Sequence, residues 1–428
     1  MTGQVDRTPD MHQDAGGGKH PIRVLHVAEN VKGGIATYLD SVLKFRAAES
    51  DPDAVFLLLP AGERSQVDAP ERVRVDTYNY SGRGPLSLLR LMWVIWCAIR
   101  QIQPDVVHFH SSFPGFAGRL PMLFAKSRVV CIFCAHGWSF EMDMPRWRKV
   151  LYSKIERLLS LRTDAVVNIS LSDHRAALTA GLAETRCIYI PNGIDIPDAI
   201  RGQDLIPEKV GIVNLLFVGR FDHQKGIDLL MDAMTKLQEE PIRLFVVGEP
   251  VLGGVELVPA DNVEFLGWRS RDQLRGLFTA AHAVVMPSRW EGFGMVAIEA
   301  MCCATAVIAS DRGALPEVVR DGETGMIFGL EDPHDLVAAL SSLAVSRLDE
   351  MGKAGQRRYE QYYTARVMNE RLEVLYRLLA SGKGIDDVRS AIGPIETDSD
   401  SRSKPGGDSH CSPPGRDQAA AETESGIS

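Results

Sequence analysis

Residues 283–310 read AVVMPSRWEGFGMVAIEAMCCATAVIAS. A short apolar run, AVVMPS, is followed by a Gly-rich loop, by a helical stretch that starts near Met295, and by a second apolar run, AVIAS. Both runs are continuously apolar rather than alternating, which is typical of parallel strands covered by helices on both faces. This segment therefore predicts a strand-helix-strand unit of a doubly wound α/β sheet.

The same pattern extends in both directions along the chain. A break at residues 195–213, DIPDAIRGQDLIPEKVGIV, carries prolines, glycines and charges and divides the apolar runs into two series. For a chain of 428 residues, we expect two doubly wound, Rossmann-like α/β domains. The predicted strands are IRVLHVAE, AVFLLL, VVHFH, VVCIFCA, AVVNIS and CIYIP before the break, and NLLFVG, RLFVVG, VEFLG, AVVMPS and AVIAS after it.

These patterns predict the domain boundaries. The first domain is expected over residues 21–198 and the second over 199–364, followed by an amphipathic helix over 365–384. Residues 1–20 and 385–428 are rich in Gly, Ser, Pro and Asp and poor in large apolar side chains. Because such segments cannot bury enough apolar surface to offset their ordering entropy, both are predicted to be disordered tails.

Composition and charge exclude several classes of protein. The net charge of −9 argues against a protein whose whole surface binds nucleic acid. From residue 385 onward there are nine acidic and four basic residues, so the predicted tail accounts for −5 of this charge and the rest of the chain for −4. Cys131 and Cys134 lie in an apolar run without a second pair, which favours buried thiols over a zinc site. The first twenty residues lack the apolar core of a signal peptide, so we expect a cytoplasmic protein.

Candidate site residues follow the predicted strands, because ligands of open α/β sheets bind beyond the carboxyl ends of strands. Gly33 and Gly34 follow the first run and permit a tight turn into a helix whose free N–H groups suit an anion, although such turns are often only structural. His136 follows VVCIFCA, where it either faces a ligand or is hydrogen-bonded within its loop. Arg220 and Lys225 follow NLLFVG and suit a diphosphate, the alternative being a solvated loop.

Two carboxylates mark the segment quoted at the start. Glu291 lies in the Gly-rich loop, and Glu299 lies eight residues later on the predicted helix. A carboxylate repels a phosphate but accepts hydrogen bonds from hydroxyls, which sugars and ribose carry in adjacent pairs. The combination with Arg220 and Lys225 predicts a phosphate anchor flanked by two acceptors for polyol hydroxyls.

Taken together, these residues resemble the large family 4 of retaining glycosyltransferases, also called glycosyl transferases group 1. The E-x7-E spacing of Glu291 and Glu299 is a weak signal alone, but the ordered set of motifs is specific and runs from about residue 22 to 380. One departure is Arg312-Gly313, where the family commonly has two glycines. The other matching motifs are Lys32-Gly33-Gly34, Ala135-His136-Gly137, Pro191-Asn192-Gly193-Ile194-Asp195, Val218-Gly219-Arg220 with Lys225-Gly226, Leu315-Pro316-Glu317-Val318-Val319, Asp321-Gly322 and Thr324-Gly325.

The resemblance implies a GT-B fold, in which two Rossmann-like domains face a cleft. Its catalytic residues would be Arg220 and Lys225, which neutralise the diphosphate of a nucleotide-sugar, together with Glu291 and His136 beside the transferred sugar. Glu299 would bind the ribose hydroxyls. The other implied donor-binding residues are Gly33, Gly34, Asn192, Gly248, Glu249, Leu266, Gly292, Phe293, Gly294 and Met295.

The function implied is transfer of a sugar, from a UDP-sugar, to a glycan or lipid-linked oligosaccharide in surface polysaccharide biosynthesis. By the same resemblance, the reaction retains the anomeric configuration and needs neither a metal nor a cofactor, and the helix over 365–384 crosses back to cap the first domain. Two other classes stay open: a nucleotide-sugar epimerase of the same fold, and a non-catalytic sensor of nucleotide-sugars.

The segment from Met144 to Arg162 predicts a basic amphipathic helix. It carries six Lys and Arg residues against one acid, Glu156, with apolar residues at helical spacing. Such a helix either rests on anionic lipid or packs its apolar stripe on the domain, and a lipid-linked acceptor favours lipid contact. The apolar stretch at residues 86–99 is interrupted by Arg90 and is expected to be a packed helix too short to span a bilayer.

Overall fold

A computed structural model describes residues 21–395, except for 30, 32, 50–53, 80–81, 83, 125–128, 196–205, 208–210, 251–256 and 258–259. The predicted tail at 1–20, the predicted tail from 396 onward, Lys32 and the predicted domain boundary at 198–199 lie outside the described residues.

The first domain contains a parallel sheet of seven strands, and all but one edge strand are almost entirely buried because helices cover both faces. Its strands are β1 (Val24–Val27), β2 (Val55–Pro60), β3 (Arg74–Tyr78), β4 (Val106–His110), β5 (Val130–Cys134), β6 (Ala165–Asn168) and β7 (Cys187–Tyr189). They pair in the order β3-β2-β1-β4-β5-β6-β7. The helices are α1 (Gly34–Glu49), α2 (Pro85–Ile102), α3 (Ser112–Met122), α4 (Arg146–Ser160) and α5 (Leu171–Thr179), with 3₁₀ turns at Ala61–Gln66, Ser139–Glu141 and Glu184–Arg186.

The second domain repeats this architecture around a parallel sheet of six strands. Its strands are β8 (Val213–Val218), β9 (Ile242–Val247), β10 (Val263–Gly267), β11 (Ala283–Met286), β12 (Ala306–Ser310) and β13 (Gly325–Phe328), in the order β10-β9-β8-β11-β12-β13. The helices are α6 (Ile227–Lys236), α7 (Arg271–Ala280), α8 (Met295–Cys302), α9 (Leu315–Val318), α10 (Pro333–Ser341) and α11 (Val345–Tyr362). The segment that opened the sequence analysis forms β11, α8 and β12, so the predicted doubly wound fold is confirmed.

Two more helices follow α11. The first, α12 (Ala365–Ala380), packs against α1 of the first domain. The second, α13 (Ile385–Ile392), shows that the tail boundary predicted at residue 385 is wrong. Ile385 and Val388 are three residues apart, lie on one helix face and are both buried, while Arg389 donates to the carbonyl oxygen of Cys187 at 2.8 Å. This short apolar stripe is enough to dock the helix on the first domain.

The apolar stretch at residues 86–99 lies in α2. By length and composition alone, this helix is long and apolar enough to cross a membrane. One face of α2 packs on the sheet of the first domain through Leu91, Ile95, Ala98 and Ile102. The opposite face exposes Leu86 and Trp93, which are 81% and 66% accessible. The helix thus has a packed face, as expected, and an apolar exposed face, whereas the expectation that it is too short to span a bilayer is wrong by length and composition.

Candidate active site

Glycines of both domains meet where the carboxyl ends of the two sheets face each other. A Cβ atom built on Gly34, at the start of α1, would lie 3.1 Å from Met295 Cγ, at the start of α8. A Cβ atom on Gly292, after β11, would lie 3.2 Å from the Cα atom of Gly137, after β5. A side chain at Gly292 would press on the Gly137 backbone and one at Gly34 would press on the Met295 side chain, so glycine permits the close approach. The structure thereby brings the predicted glycines of both domains into one cleft.

Lys225 and Glu291 form an ion pair in this cleft. Lys225 Nζ lies 2.6 Å from Glu291 Oε2, and the two side chains are only 19% and 11% exposed. The sequence predicts a phosphate ligand at Lys225 and a hydroxyl acceptor at Glu291, and the structure places the two groups in contact. A diphosphate that binds beside Lys225 would compete with Glu291 for the ammonium group and free the carboxylate for another donor.

Arg220 lies near this pair, at the other end of the same loop. Its guanidinium is 3.1 Å from Asp222 Oδ2, and its side chain is 55% exposed. The loop ends at Gly226, which has φ +66° and would overlap the carbonyl oxygen of Pro287 if it carried a Cβ atom. Glycine therefore lets the loop pack against the end of β11. Arg220 also donates to Gln224 Oε1 at 3.1 Å.

The N-terminus of α8 lies beside the Lys225–Glu291 pair. Gly294 caps this helix with φ +95°, and a Cβ atom there would lie 3.7 Å from Glu291 Cγ. The free N–H groups in the first turn of a helix attract anions. Asn192 of the first domain approaches the same turn, where its Nδ2 atom lies 3.5 Å from Met295 Sδ. The predicted diphosphate site thus combines a cation with a helix N-terminus.

Glu299 lies one turn further along α8. Burial is the largest influence on its carboxyl and raises its pKa to about 7, against the opposing charges of Arg271 and Lys225. At neutral pH the carboxyl is therefore close to half protonated. Each form can bind a ribose diol, because a carboxylate accepts hydrogen bonds and a carboxylic acid also donates one.

We expect Glu299→Gln to reduce the loss of stability that accompanies rising pH. A carboxyl whose pKa is raised in the folded protein favours folding most at low pH. This contribution is lost as the pH rises from the ordinary pKa of a glutamate carboxyl to about 7. For Glu299 it amounts to at most roughly 3 kcal/mol. Urea unfolding of the wild type and the variant at pH 5 and pH 8 measures it. An equal pH dependence of the free energy of unfolding in the two proteins would contradict a raised pKa for Glu299.

Further predicted residues lie at the ends of β9 and β10. Gly248 has φ +139°, and a Cβ atom there would overlap the carbonyl oxygen of Gly219, so glycine is required. Glu249 is exposed, and Leu266 is half-buried against the core. Phe293, also predicted to bind the donor, is 2% exposed and packs on Tyr363 with ring centroids 5.8 Å apart.

His136 lies in a left-handed turn with φ +54°, directly before Gly137. Burial lowers its pKa to about 4, so the imidazole is neutral at physiological pH. Its Nε2 atom lies 3.0 Å from His110 Nδ1. A Cβ atom on Gly292 would lie 3.6 Å from the carbonyl oxygen of His136, so the turn faces the loop that carries Glu291.

Sequence reasoning missed the side chains that join the two domains. Arg271 of α7 contacts the first domain through Asp40 Oδ2, at 2.9 Å, and through the hydroxyl of Thr37, at 3.0 Å. The Glu317 carboxylate accepts hydrogen bonds from the backbone N–H groups of Leu171 and Ser172 at the start of α5, at 2.8 and 3.0 Å. Glu317 is part of the motif at residues 315–319 that matches the family. This motif marked Glu317 in the sequence, although no role was predicted for it.

Two protein-family models match consecutive parts of the chain. The model of Glycosyltransferase Family 4 matches residues 32–197, and the model of Glycosyl transferases group 1 matches residues 198–358. The chain belongs to the group 1 glycosyltransferases. The resemblance of the motifs to family 4 and group 1 glycosyltransferases is therefore confirmed, while retention of configuration stays a prediction. The cleft described above is the candidate active site of a glycosyltransferase.

Individual relatives of this glycosyltransferase extend the comparison. An uncharacterized 41.2 kDa protein in the cps region of Klebsiella pneumoniae is 30% identical over 341 residues, which cover 78% of this chain and 93% of that protein. Sucrose-phosphate synthase from Thermosynechococcus elongatus superposes with a TM-score of 0.72 at 21% identity, over 85% of this chain and 100% of that one. Anabaena HepE in complex with UDP-glucose gives a TM-score of 0.66 at 19% identity, over 84% and 100%. The two solved structures confirm the GT-B fold.

Proposed function

We propose that this glycosyltransferase moves a hexose from a UDP-sugar to a glycan or lipid-linked oligosaccharide in polysaccharide biosynthesis. The contact of Lys225 with Glu291 carries the proposal, because it joins a phosphate ligand and a hydroxyl acceptor at a helix N-terminus. The UDP-glucose bound to the Anabaena protein supports the choice of donor. The cps region that encodes the Klebsiella relative supports a role in polysaccharide synthesis.

The proposed mechanism rests on charge. The bond between the anomeric carbon and the diphosphate oxygen breaks, and negative charge develops on the departing UDP. Lys225, Arg220 and the N-terminus of α8 stabilise that charge. An acceptor hydroxyl oxygen bonds to the anomeric carbon from the same face, its proton passes to the departing diphosphate oxygen, and the configuration is retained. Protein cations perform the neutralisation, so we propose that no metal is required.

Incubation with radiolabelled nucleotide-sugars and a bacterial lipid extract, in the presence of EDTA, tests the function. We expect transfer to lipid-extractable or polymeric product with a UDP-hexose. UDP-glucose at 100 times its dissociation constant is also expected to raise the free energy of unfolding by about 2.7 kcal/mol if it is the donor. Absence of transfer and of donor hydrolysis with every donor would contradict the proposal, and an epimerised donor formed without acceptor would identify an epimerase instead.

We further propose that the protein works in the cytoplasm, at the inner face of the cytoplasmic membrane. Helix α4 supports this, because Trp147, Val150 and Leu158 are 63%, 53% and 52% exposed, whereas an ordinary surface helix would bury its apolar stripe. The basic residues Arg148 and Lys154 of the same helix are both exposed. Helices α2 and α4 both pack against α3.

We expect the double variant Arg148→Gln with Lys154→Gln to bind anionic vesicles about tenfold or more weakly, because each basic residue near such a surface contributes about 1 kcal/mol. Sedimentation with phosphatidylglycerol vesicles measures this binding. The double variant Lys236→Gln with Arg377→Gln, which removes two charges on other helices, is the matched control. Equal loss in both variants, or no binding of the wild type, would contradict a membrane surface at α4.

A further inference from the structure

Three histidines form a continuous chain from the core of the first domain to the candidate active site. The parallel register of β1 and β4 pairs His26 with His108, and alternation along β4 places His110 on the same face. His26 Nδ1 lies 3.0 Å from His110 Nε2, and His110 Nδ1 lies 3.0 Å from His136 Nε2. Both nitrogens of His110 are thus used, and the chain ends at the residue that faces the Glu291 loop.

The hydrogen bonds in this chain must all run in one direction. Burial lowers the pKa of each of the three imidazoles, so each is neutral and carries a single N–H. Among the residues that the structure describes, His26 Nε2 is buried and has no hydrogen-bond partner. A buried N–H without a partner is rarer and costs more than an unused lone pair. His26 therefore carries its hydrogen on Nδ1 and donates to His110, which in turn donates from Nδ1 to His136.

We propose that His110 and His26 are positioning residues that fix His136 as the tautomer protonated on Nδ1. His136 then offers an N–H donor to an oxygen of the sugar, and it does not act as an acceptor through that nitrogen. The inference rests on the proposed function for the identity of the substrate, but the tautomer follows from the hydrogen-bond chain alone. Substrate selection follows as well, because a site that donates at this position favours sugars with an accepting oxygen there.

A metal ion is the other use for buried imidazoles. His26, His108 and His110 each offer one nitrogen, and these atoms lie within 4.8 Å of one another. However, a metal would have to take His110 from one of its two hydrogen-bond partners. A metal ion would also lie close to the Arg46 guanidinium, whose charge already lowers the pKa of His26. The three histidines include no carboxylate that would balance the charge of the metal ion. The geometry therefore favours the hydrogen-bond chain.

Nitrogen-15 NMR of histidine-labelled protein tests the tautomer directly. We expect His136 to show a protonated Nδ1 and an unprotonated Nε2 in the wild type, with its resonances assigned by their loss in His136→Gln. In His110→Phe the donor to His136 is removed, and a mixture of both tautomers is expected. A protonated Nε2 on His136 in the wild type, or an unchanged pattern in His110→Phe, would overturn the proposal whether or not the protein proves to be a transferase.

A double-mutant cycle tests the effect on turnover. We expect His110→Phe to lower kcat roughly 10- to 100-fold through misplacement of His136, and His110→Gln, which keeps a donor and an acceptor, to lose less. In a His136→Ala background, His110→Phe should lower kcat almost no further. His108→Phe is the matched control: it lies two residues away, is equally buried and bonds Tyr376 instead, so its effect should add fully to that of His136→Ala.

Three outcomes of this second experiment would overturn the proposal. The first is full additivity of His110→Phe with His136→Ala, which would indicate a merely structural effect on the core. The second is a loss of kcat in His110→Gln as large as that in His110→Phe. The third is one equivalent of a chelatable metal in the purified protein that is lost in His110→Phe, which would assign the cluster to metal binding. Absence of turnover in the wild type would count against the proposed function and leave the NMR result to decide the tautomer.

Discussion

Replacement of Lys225 by methionine is expected to lower kcat/KM for the nucleotide-sugar about 100- to 1,000-fold, the usual cost of removing one group that stabilises transition-state charge. Methionine keeps much of the length and the apolar stem of lysine but has no charge. The loss has two sources in this cleft. The departing diphosphate loses a cation, and Glu291, only 11% exposed, is left without the ammonium that lies 2.6 Å away. An unpaired carboxylate beside the donor would also repel it.

Steady-state kinetics of donor hydrolysis and transfer measure this loss, with Lys236→Met as the control. Lys236 ends α6, the helix that follows Lys225, and is exposed, so its replacement should leave kcat/KM within about twofold, as for most surface positions. The double variant Lys225→Met with Glu291→Gln removes the uncompensated charge and should bind the donor more tightly than Lys225→Met alone. A Lys225→Met enzyme that keeps wild-type kcat/KM would show that Lys225 does not contact the diphosphate.

The sequence predicted the central strands and the edge strands β7 and β10, and it missed two other strands at the sheet edges. Runs such as AVFLLL are continuously apolar because helices cover both faces of a central strand. Strand β3 reads RVDTY and is partly exposed at one edge, and β13 reads GMIF, is only four residues long and lies at the other sheet's edge. Edge strands are covered less, so their sequences need not be apolar, and apolar runs alone do not detect all of them.

The residues of the candidate site could be predicted from the sequence, but the contacts between them could not. Parallel sheets place the ends of all their strands at one edge, so Lys225 and Glu291 could be assigned to one site from their positions alone. That they touch each other depends on how two loops pack, which no spacing encodes. His110 is a different case: the alternation in VVHFH places it on one face with His108, and the signal was present but was interpreted only as part of a strand.

The two domains also depend on an ion pair that sequence reasoning could not find. Arg46 of α1 and Glu373 of α12 are separated by more than three hundred residues and form a salt bridge with side chains 2% and 10% exposed. Arg46 also donates to the carbonyl oxygen of Ile22 at 2.9 Å. Asn369 of α12 donates to the hydroxyl of Ser41 of α1 at 2.9 Å. These contacts hold α12, which follows the second domain along the chain, against the first domain.

We expect Glu373→Ala to lower the free energy of unfolding by about 3–5 kcal/mol, because it leaves the Arg46 guanidinium buried without its partner. Urea denaturation measures the loss. Glu370→Ala is the matched control on the same helix, since Glu370 pairs with Arg366 through side chains that are 50% and 76% exposed, and such pairs contribute at most about 1 kcal/mol. The double variant Arg46→Met with Glu373→Met should recover most of the stability, because two apolar side chains need no partner. If Glu373→Ala costs no more than Glu370→Ala, then the buried pair does not hold α12 in place, and apolar contacts such as those of Leu372 and Leu375 suffice.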